Sequence, residues 1–241
     1  LAILRLVFFF FFSTFMLFRV KICIRFKKHP QEFAFKVLRQ WSATTLFLMG
    51  IKMEWENKSL LPSPSILMAN HRSYIDPLVI FTVYPAVIIA KKELGSWPVI
   101  GSGLRLLNCL LVDRKNAGSM METMRKTEQA VNEIGRLVVF PEGTTSTGPL
   151  TKNFKAGTFN VAAKNQFPVI PLAMEFEDPK LAWVGNDLFV LHFLTKMGKP
   201  VNRVKVCIGN PLCLTNEKEL ARKTKLWMDE KLLQMRAEWD N

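Results

Sequence analysis

From residue 66 onward, short apolar runs alternate with stretches whose apolar positions recur every three or four residues. That alternation predicts an α/β architecture. The runs at 66–69, 87–90, 110–112, 137–140, 169–174, 188–193 and 204–208 read as strands. The expected fold is a mixed, largely parallel central sheet flanked by helices. The clearest helix begins at Ser119, with Glu122 three residues on as a capping box. It carries Met120, Met124, Thr127, Val131 and Ile134 at helical spacing, a stripe read as core, and stops at Gly135. A second amphipathic helix runs over 216–239, with Met228, Leu232, Met235 and Trp239 on one face. The run Phe167-Pro168-Val169-Ile170-Pro171 is punctuated by proline, which predicts a strand at an edge or a bulge.

The first fifty residues follow a different pattern. Residues 6–18 carry no charge and include five consecutive phenylalanines, Phe8 to Phe12. As a helix this run is about 20 Å long against a hydrocarbon core of roughly 30 Å, short for a span unless Arg5 and Arg19 reach outward. Arg19, Lys21, Arg25, Lys27 and Lys28 follow it instead of a small-residue cleavage site, so a retained anchor is expected rather than a signal peptide. After a turn at His29-Pro30, residues 31–50 place Phe33, Val37, Trp41 and Thr44 on one helical face. Two such helices predict a hairpin dipped into one leaflet, with a single true span as the alternative. The expected division is a membrane-anchoring hairpin over 1–55 and an α/β domain over 56–241, with residues 54–64 as the connection.

Composition sharpens this picture. The formal charge is +13, and residues 1–52 carry nine Lys or Arg against one acid, Glu32. Cations interleaved with long apolar runs suit an anionic membrane surface. No helix-turn-helix, zinc-finger or RNA-binding signature accompanies the charge, so nucleic acid is not an expected partner. Hydrophobic residues make up 49% of the chain, but 22% are charged, which excludes a polytopic membrane protein. Cys23, Cys109, Cys207 and Cys213 form no CxxC pair and read as free thiols in a reducing compartment.

The chemistry centres on Asn70-His71-Arg72-Ser73-Tyr74-Ile75-Asp76-Pro77, which joins the 66–69 strand to the apolar run 78–81. Asp76 and Pro77 suit the N-cap and first turn of a helix there. Across such a turn a carboxylate can hold one imidazole nitrogen protonated and leave the other as a bare acceptor, a general base with an orienter. Further polar stretches sit at the carboxyl ends of apolar runs: Asp113-Arg114, then Pro141-Glu142-Gly143-Thr144-Thr145, a turn of amides and hydroxyls suited to oxyanions. Ligand crevices of open α/β sheets form at such ends.

Four of these stretches together resemble the glycerolipid acyltransferase superfamily, the lysophosphatidate acyltransferase-like proteins with a His-x4-Asp motif. The blocks are 70–76, Leu111-Val112-Asp113-Arg114, Phe140-Pro141-Glu142-Gly143-Thr144 and Val169-Ile170-Pro171, in family order over roughly residues 60–175. Ala90-Lys91-Lys92-Glu93-Leu94 is similar to that family's linker between the first two blocks, and the amino-terminal helices match the anchoring hairpin of bacterial members. The resemblance implies a membrane-bound lyso-lipid O-acyltransferase on the cytoplasmic face. It would move a fatty acyl chain from acyl-CoA or acyl-carrier protein to a lyso-lipid hydroxyl, with 1-acyl-glycerol-3-phosphate as the expected acceptor.

In that reading His71 is the base and Asp76 its orienter. Arg114 holds the head group, Glu142, Gly143 and Thr144 shape its pocket, Lys91 faces the reacting carbonyl, and the fourth block walls the acyl groove. No cofactor or metal is expected, since His29, His71 and His192 make no ligand set. One position departs from the pattern: Thr145 stands where the family usually has Arg, which implies weaker recognition of lysophosphatidate unless Lys152 or Lys155 substitutes. Acceptors such as lyso-ornithine lipid or lysophosphatidylcholine are therefore the alternative, as is a non-catalytic lipid-binding protein of the same fold.

Overall fold

A computed structural model describes residues 1–58, 61–185 and 187–240. Two helices lead the chain, α1 (Ala2–Cys23) and α2 (Pro30–Leu48). Strands β1 (Ile51–Glu56) and β2 (Ser65–Ala69) follow, then α3 (Asp76–Phe81), β3 (Val87–Lys91), α4 (Ile100–Leu106) and β4 (Leu110–Val112). The rest comprises α5 (Ala117–Ile134), β5 (Arg136–Val139), α6 (Gly157–Asn165), β6 (Val169–Phe176), α7 (Phe189–Lys196), β7 (Asn202–Ile208) and α8 (Glu217–Asp240).

The strands form one seven-stranded sheet in the order β1-β7-β6-β2-β5-β3-β4. Only the β6–β7 pair is antiparallel. This is the mixed, largely parallel sheet expected. Every residue of β2 and β6 is buried, because helices cover both faces at the centre. The carboxyl end of β2, where residue 70 begins, therefore opens from the middle of the sheet.

Several sequence expectations change. Residues 188–193 form the N-cap and start of helix α7, not a strand. Their continuous apolar run carries no periodicity of its own, but His192, Phe193 and Met197 are buried while Leu188, Val190 and Leu191 are exposed, a helical spacing. Conversely, β1 occupies residues assigned partly to the connection; Ile51, Met53 and Trp55 alternate with Lys52, Glu54 and Glu56, and the charges masked a period-two signal. Ser59 and Leu60 of the expected connection lie outside the described residues. β6 is interior despite its prolines. Pro171 C=O accepts from Gly209 N–H at 2.8 Å, so its nitrogen turns to the β7 side, one residue beyond the last rung at Ile208. The missing donor falls where the ladder ends.

Helix α5 starts earlier than the capping box implied. Asn116 Oδ1 accepts from Ser119 N–H at 3.0 Å as the N-cap, and Glu122 pairs with Arg125 at 2.8 Å instead. Its core face is Thr123, Thr127, Ala130 and Val131. Met120 and Met124 line a cavity, Met120 exposed and Met124 half-buried with its other side against the core. Gly135, in the left-handed region at φ 79°, ends the helix as expected.

Helix α1 is longer than its uncharged run. Residues 2–26 are long and apolar enough to cross a membrane, with a mean hydropathy of 2.0 over their most apolar eighteen residues. One stripe, Arg5, Phe9, Ser13, Met16 and Val20, is nevertheless buried against the protein, while Val7, Phe11, Phe15, Phe18 and Ile22 on the opposite face are exposed. Helix α2 returns beside it, with Trp41 Nε1–H donating to Ser13 Oγ at 2.9 Å. Arg5 pins the first turn: its guanidinium donates to the carbonyls of Met197, Lys199 and Pro200 at 2.8, 2.6 and 2.9 Å. Gly50, at φ 70°, gives this contact room, because a Cβ there would strike Pro200 O and the Arg5 guanidinium.

Removing those charged donors leaves three carbonyls short of partners. Arg5→Met is expected to lower the unfolding free energy by about 2–3 kcal/mol. Denaturant titration in detergent micelles checks this, and an unchanged midpoint would show that the α1–α7 contact contributes nothing.

Candidate active site

Strand β2 delivers the site. Just past its last residue, the Asn70 side chain continues the sheet pairing toward β6: Nδ2–H donates to Met174 O at 2.9 Å, and Oδ1 accepts from Met174 N–H at 2.8 Å. A fully buried amide thus imitates a peptide group at the strand end and directs the chain into the 71–75 turn. His71 comes next and is held by both main-chain groups. Its N–H donates to Glu142 Oε1 at 2.8 Å, and its C=O accepts from Ser146 N–H at 3.0 Å.

Asp76 is fully buried at the first position of α3, one residue later than the expected cap, and its carboxylate turns back onto the turn. One oxygen, Oδ2, accepts from His71 Nδ1–H at 2.8 Å, Arg72 N–H at 2.6 Å and Ser73 N–H at 2.7 Å. The backbone donors hold the carboxylate in place, and the bond to Nδ1 leaves Nε2 as the bare acceptor. The His71 ring stacks on Phe140 with centroids 4.0 Å apart, and its side chain is 21% exposed, so it faces outward from a fixed plane.

His71 opens into a cavity of about 690 Å³. At one end lie Lys91, Arg114, Gly143, Thr144, Thr145 and Lys155; from there the walls are apolar, with Phe9 and Met16 of α1, Leu38 of α2, Leu104 of α4 and Met124 of α5. Among the described residues, no carboxylate lines the cavity. A chamber with cations at one end and hydrocarbon along the rest fits an amphiphile with an anionic head.

The third block divides its labour. Glu142 is 4% exposed and faces away from the cavity. Besides His71 N–H, its carboxylate accepts from Ser146 Oγ at 3.1 Å and Lys152 N–H at 2.8 Å, so its oxygens are committed to the protein. Gly143, at φ 70°, packs under the Lys155 side chain; a Cβ there would lie 2.7 Å from Lys155 Cε. Arg114 donates to Gly143 O, and Lys152 Nζ donates to Thr145 O at 3.1 Å. Lys155 is thus the cation that lines the cavity near Thr145, whereas Lys152 is turned onto the backbone.

Of the residues singled out in the sequence, His71, Lys91, Arg114, Gly143 and Thr144 line one cavity, and Asp76 and Glu142 stand behind it. The fourth block does not wall an acyl groove. Val169 and Ile170 are fully buried in the central strand and Pro171 ends a ladder, so they support the sheet while α1, α2, α4 and α5 supply the apolar walls. Asn70, Arg72 and Ser146 were not foreseen in their roles. Asn70 and Arg72 stand inside the first block, but nothing in their spacing signals where the side chains go.

A family model described as Acyltransferase matches residues 52–175. The chain is 30% identical over 157 residues to a probable 1-acyl-sn-glycerol-3-phosphate acyltransferase of Mycoplasma pneumoniae, covering 61% of this chain and 58% of that protein. It is 31% identical over 212 residues to a lyso-ornithine lipid O-acyltransferase of Rhizobium meliloti, covering 76% of this chain and 70% of that one. The crystal structure of a 1-acyl-sn-glycerophosphate acyltransferase from Thermotoga maritima shares the fold, with a TM-score of 0.71 at 21% identity over 96% of this chain and 91% of that one. On the reach of the family match and the likeness to the Rhizobium protein, this chain belongs to the acyltransferase family.

Proposed function

We propose that this protein is a membrane-bound lyso-lipid O-acyltransferase whose acceptor carries an anionic head group. The observation that carries this reading is the cavity itself: an imidazole bonded to a buried carboxylate opens into a chamber lined by Lys91, Arg114 and Lys155 and otherwise mainly by apolar side chains. His71 Nε2 takes the proton from the acceptor hydroxyl as that oxygen attacks the carbonyl carbon of an acyl thioester. The tetrahedral intermediate collapses, the carbon–sulfur bond breaks, and the imidazolium returns its proton to the departing thiolate. The products are an ester and a free thiol, and no acyl-enzyme is needed. The donor is acyl-CoA or acyl-carrier protein. Asp76 stabilises the imidazolium between the two proton transfers.

Arg114 and Lys155 receive the head group in this scheme, and Lys91, assigned to the reacting carbonyl, adds a third cation to the same cavity. Thr145 removes one guanidinium expected of the family, and Lys155 replaces its charge without its two-pronged geometry. A phosphate, as in 1-acyl-glycerol-3-phosphate, suits three cations. The acceptor named for the Rhizobium relative, a lyso-ornithine lipid, is the second reading, favoured by Thr145 and by the longer alignment.

The outward apolar face of α1 and the cations that follow it support attachment to an anionic, cytoplasmic membrane surface. Because its other face is committed to the protein and to the cavity wall, α1 lies in the interface as part of a two-helix anchor, not as an independent span.

His71→Ala is expected to reduce turnover by about 10²–10⁴-fold on a panel of lyso-lipids with labelled acyl thioester; equal turnover would remove His71 from the chemistry. Arg114→Ala and Lys155→Ala are each expected to raise KM for the acceptor by roughly tenfold, leaving KM for the thioester nearly unchanged. The reverse pattern in steady-state kinetics would place the head group elsewhere. Wild-type activity highest on lysophosphatidate or on lyso-ornithine lipid decides between the two acceptors.

A further inference from the structure

The segment from Pro141 to Ala156 contains no helix or strand, yet it holds His71 at both main-chain groups and carries Gly143 to Lys155 along the cavity. A loop of this length is ordinarily mobile. What holds it comes from behind, and from the far end of the chain. Arg72, 1% exposed, donates from Nη1 to Ser146 O at 3.1 Å and Ser146 Oγ at 2.9 Å, and from Nη2 to Glu175 Oε2 at 2.9 Å. The same Glu175 oxygen accepts from Arg236 Nε–H at 3.1 Å, and Arg236 Nη2 donates to Thr147 O at 3.2 Å and Gly148 O at 2.9 Å. Two guanidiniums thus flank one buried carboxylate, and both grip residues 146–148.

Helix α8 takes a second hold one helical stretch earlier. Asp229 Oδ1 accepts from Thr151 N–H at 2.8 Å and Thr151 Oγ1 at 2.7 Å, while Lys225 Nζ donates to Thr151 O at 2.9 Å. Burial opposes the Asp229 charge, but the Lys225 ammonium and the Thr151 donors outweigh it and hold the carboxyl below its usual range. The helix itself is seated by Leu232 and Met235 in the core and by Lys205, which pairs with Glu238 at 2.7 Å and lies 4.1 Å from the Trp239 ring centroid.

We propose that Arg236, on the carboxyl-terminal helix and outside the segment matched by the family model, is a positioning residue for the catalytic base. It acts through Glu175, Arg72 and the 146–148 backbone, fixing the loop whose Ser146 N–H and Glu142 carboxylate clamp His71. This rests on the acyltransferase reading above. Its consequence is kinetic. A clamp that loosens shifts Nε2 relative to the acceptor hydroxyl, and displacements of about 1 Å can cost up to about 10²-fold in rate without changing what binds. Lys155 lies on the same loop but has its own hold, its N–H donating to Pro141 O at 2.9 Å while Asp229 and Lys225 keep Thr151, so the loss falls on kcat more than on KM.

The test uses full-length enzyme in detergent with wild type, Arg236→Ala and Arg236→Lys, turnover being normalised to folded protein by circular dichroism. Expected for Arg236→Ala is a fall in kcat of about tenfold, both KM values within twofold, and partial recovery with tens of millimolar guanidinium, which refills the vacated fork. Arg236→Lys keeps a charge for Glu175 but cannot also reach both carbonyls, and should lie between the two, which keeps the test decisive if the alanine variant does not fold. A folded variant with kcat within twofold of wild type overturns the inference, as does a loss that guanidinium leaves untouched while KM rises in step. Wild type inactive on every acceptor and donor would instead overturn the acyltransferase reading itself.

Discussion

The arrangement of this molecule depends on one buried oxygen. Asp76 Oδ2 gathers a ring N–H and two backbone N–H groups within 2.6 to 2.8 Å, in a position with no water contact. Burying a carboxylate is costly unless its charge is met by donors, and here the donors come from the tight turn that carries the base. The same bonds therefore stabilise the turn, fix the carboxylate and select the imidazole tautomer. Neither His71 nor Asp76 sits in a regular element's interior; their relation is set by β2 ending at Ala69 and α3 beginning at Asp76.

Around that turn the protein separates holding from contacting. Asn70, Arg72, Glu142 and Glu175 are buried and spend their hydrogen bonds on the backbone and on one another. Lys91, Arg114 and Lys155 are exposed to the cavity and have few partners of their own. Polar groups that share a low-dielectric interior must be satisfied by the protein, which makes them rigid; those at the cavity can exchange water for a ligand. The amino-terminal hairpin takes part in both. Its outer face is apolar and open, while Phe9, Ser13 and Met16 on its inner face complete the cavity wall, so the element that meets the membrane also shapes the site.

Much of the fold was legible because it rests on local pattern. Six of the strands expected from apolar runs are present, and Gly135 ends α5 where a left-handed residue was needed. The failures have physical causes. Residues 188–193 could pack as strand or helix, and only the burial of His192 and Phe193 against the aromatic cluster around Tyr74 decides for the helix. The prolines of β6 suggested an edge because the sequence does not say which side of the strand each nitrogen faces. Met120 and Met124 follow the spacing of a core stripe equally well whether a neighbour or a cavity stands opposite.

Spacing and side-chain type alone already single out the groups that the proposed chemistry would use: an imidazole and a carboxylate five residues apart at a strand-to-helix turn, cations after later strands, and an apolar, basic amino terminus. These are properties of short segments, where spacing and side-chain type restrict geometry directly. Only the tertiary structure decided that Glu142 faces His71 rather than the cavity, and that Lys155 rather than Lys152 points inward. It alone brought Arg236 to the loop behind the base. Contacts between residues 61 to 89 positions apart depend on how the sheet orders its strands and where α8 lies, and no local pattern encodes them.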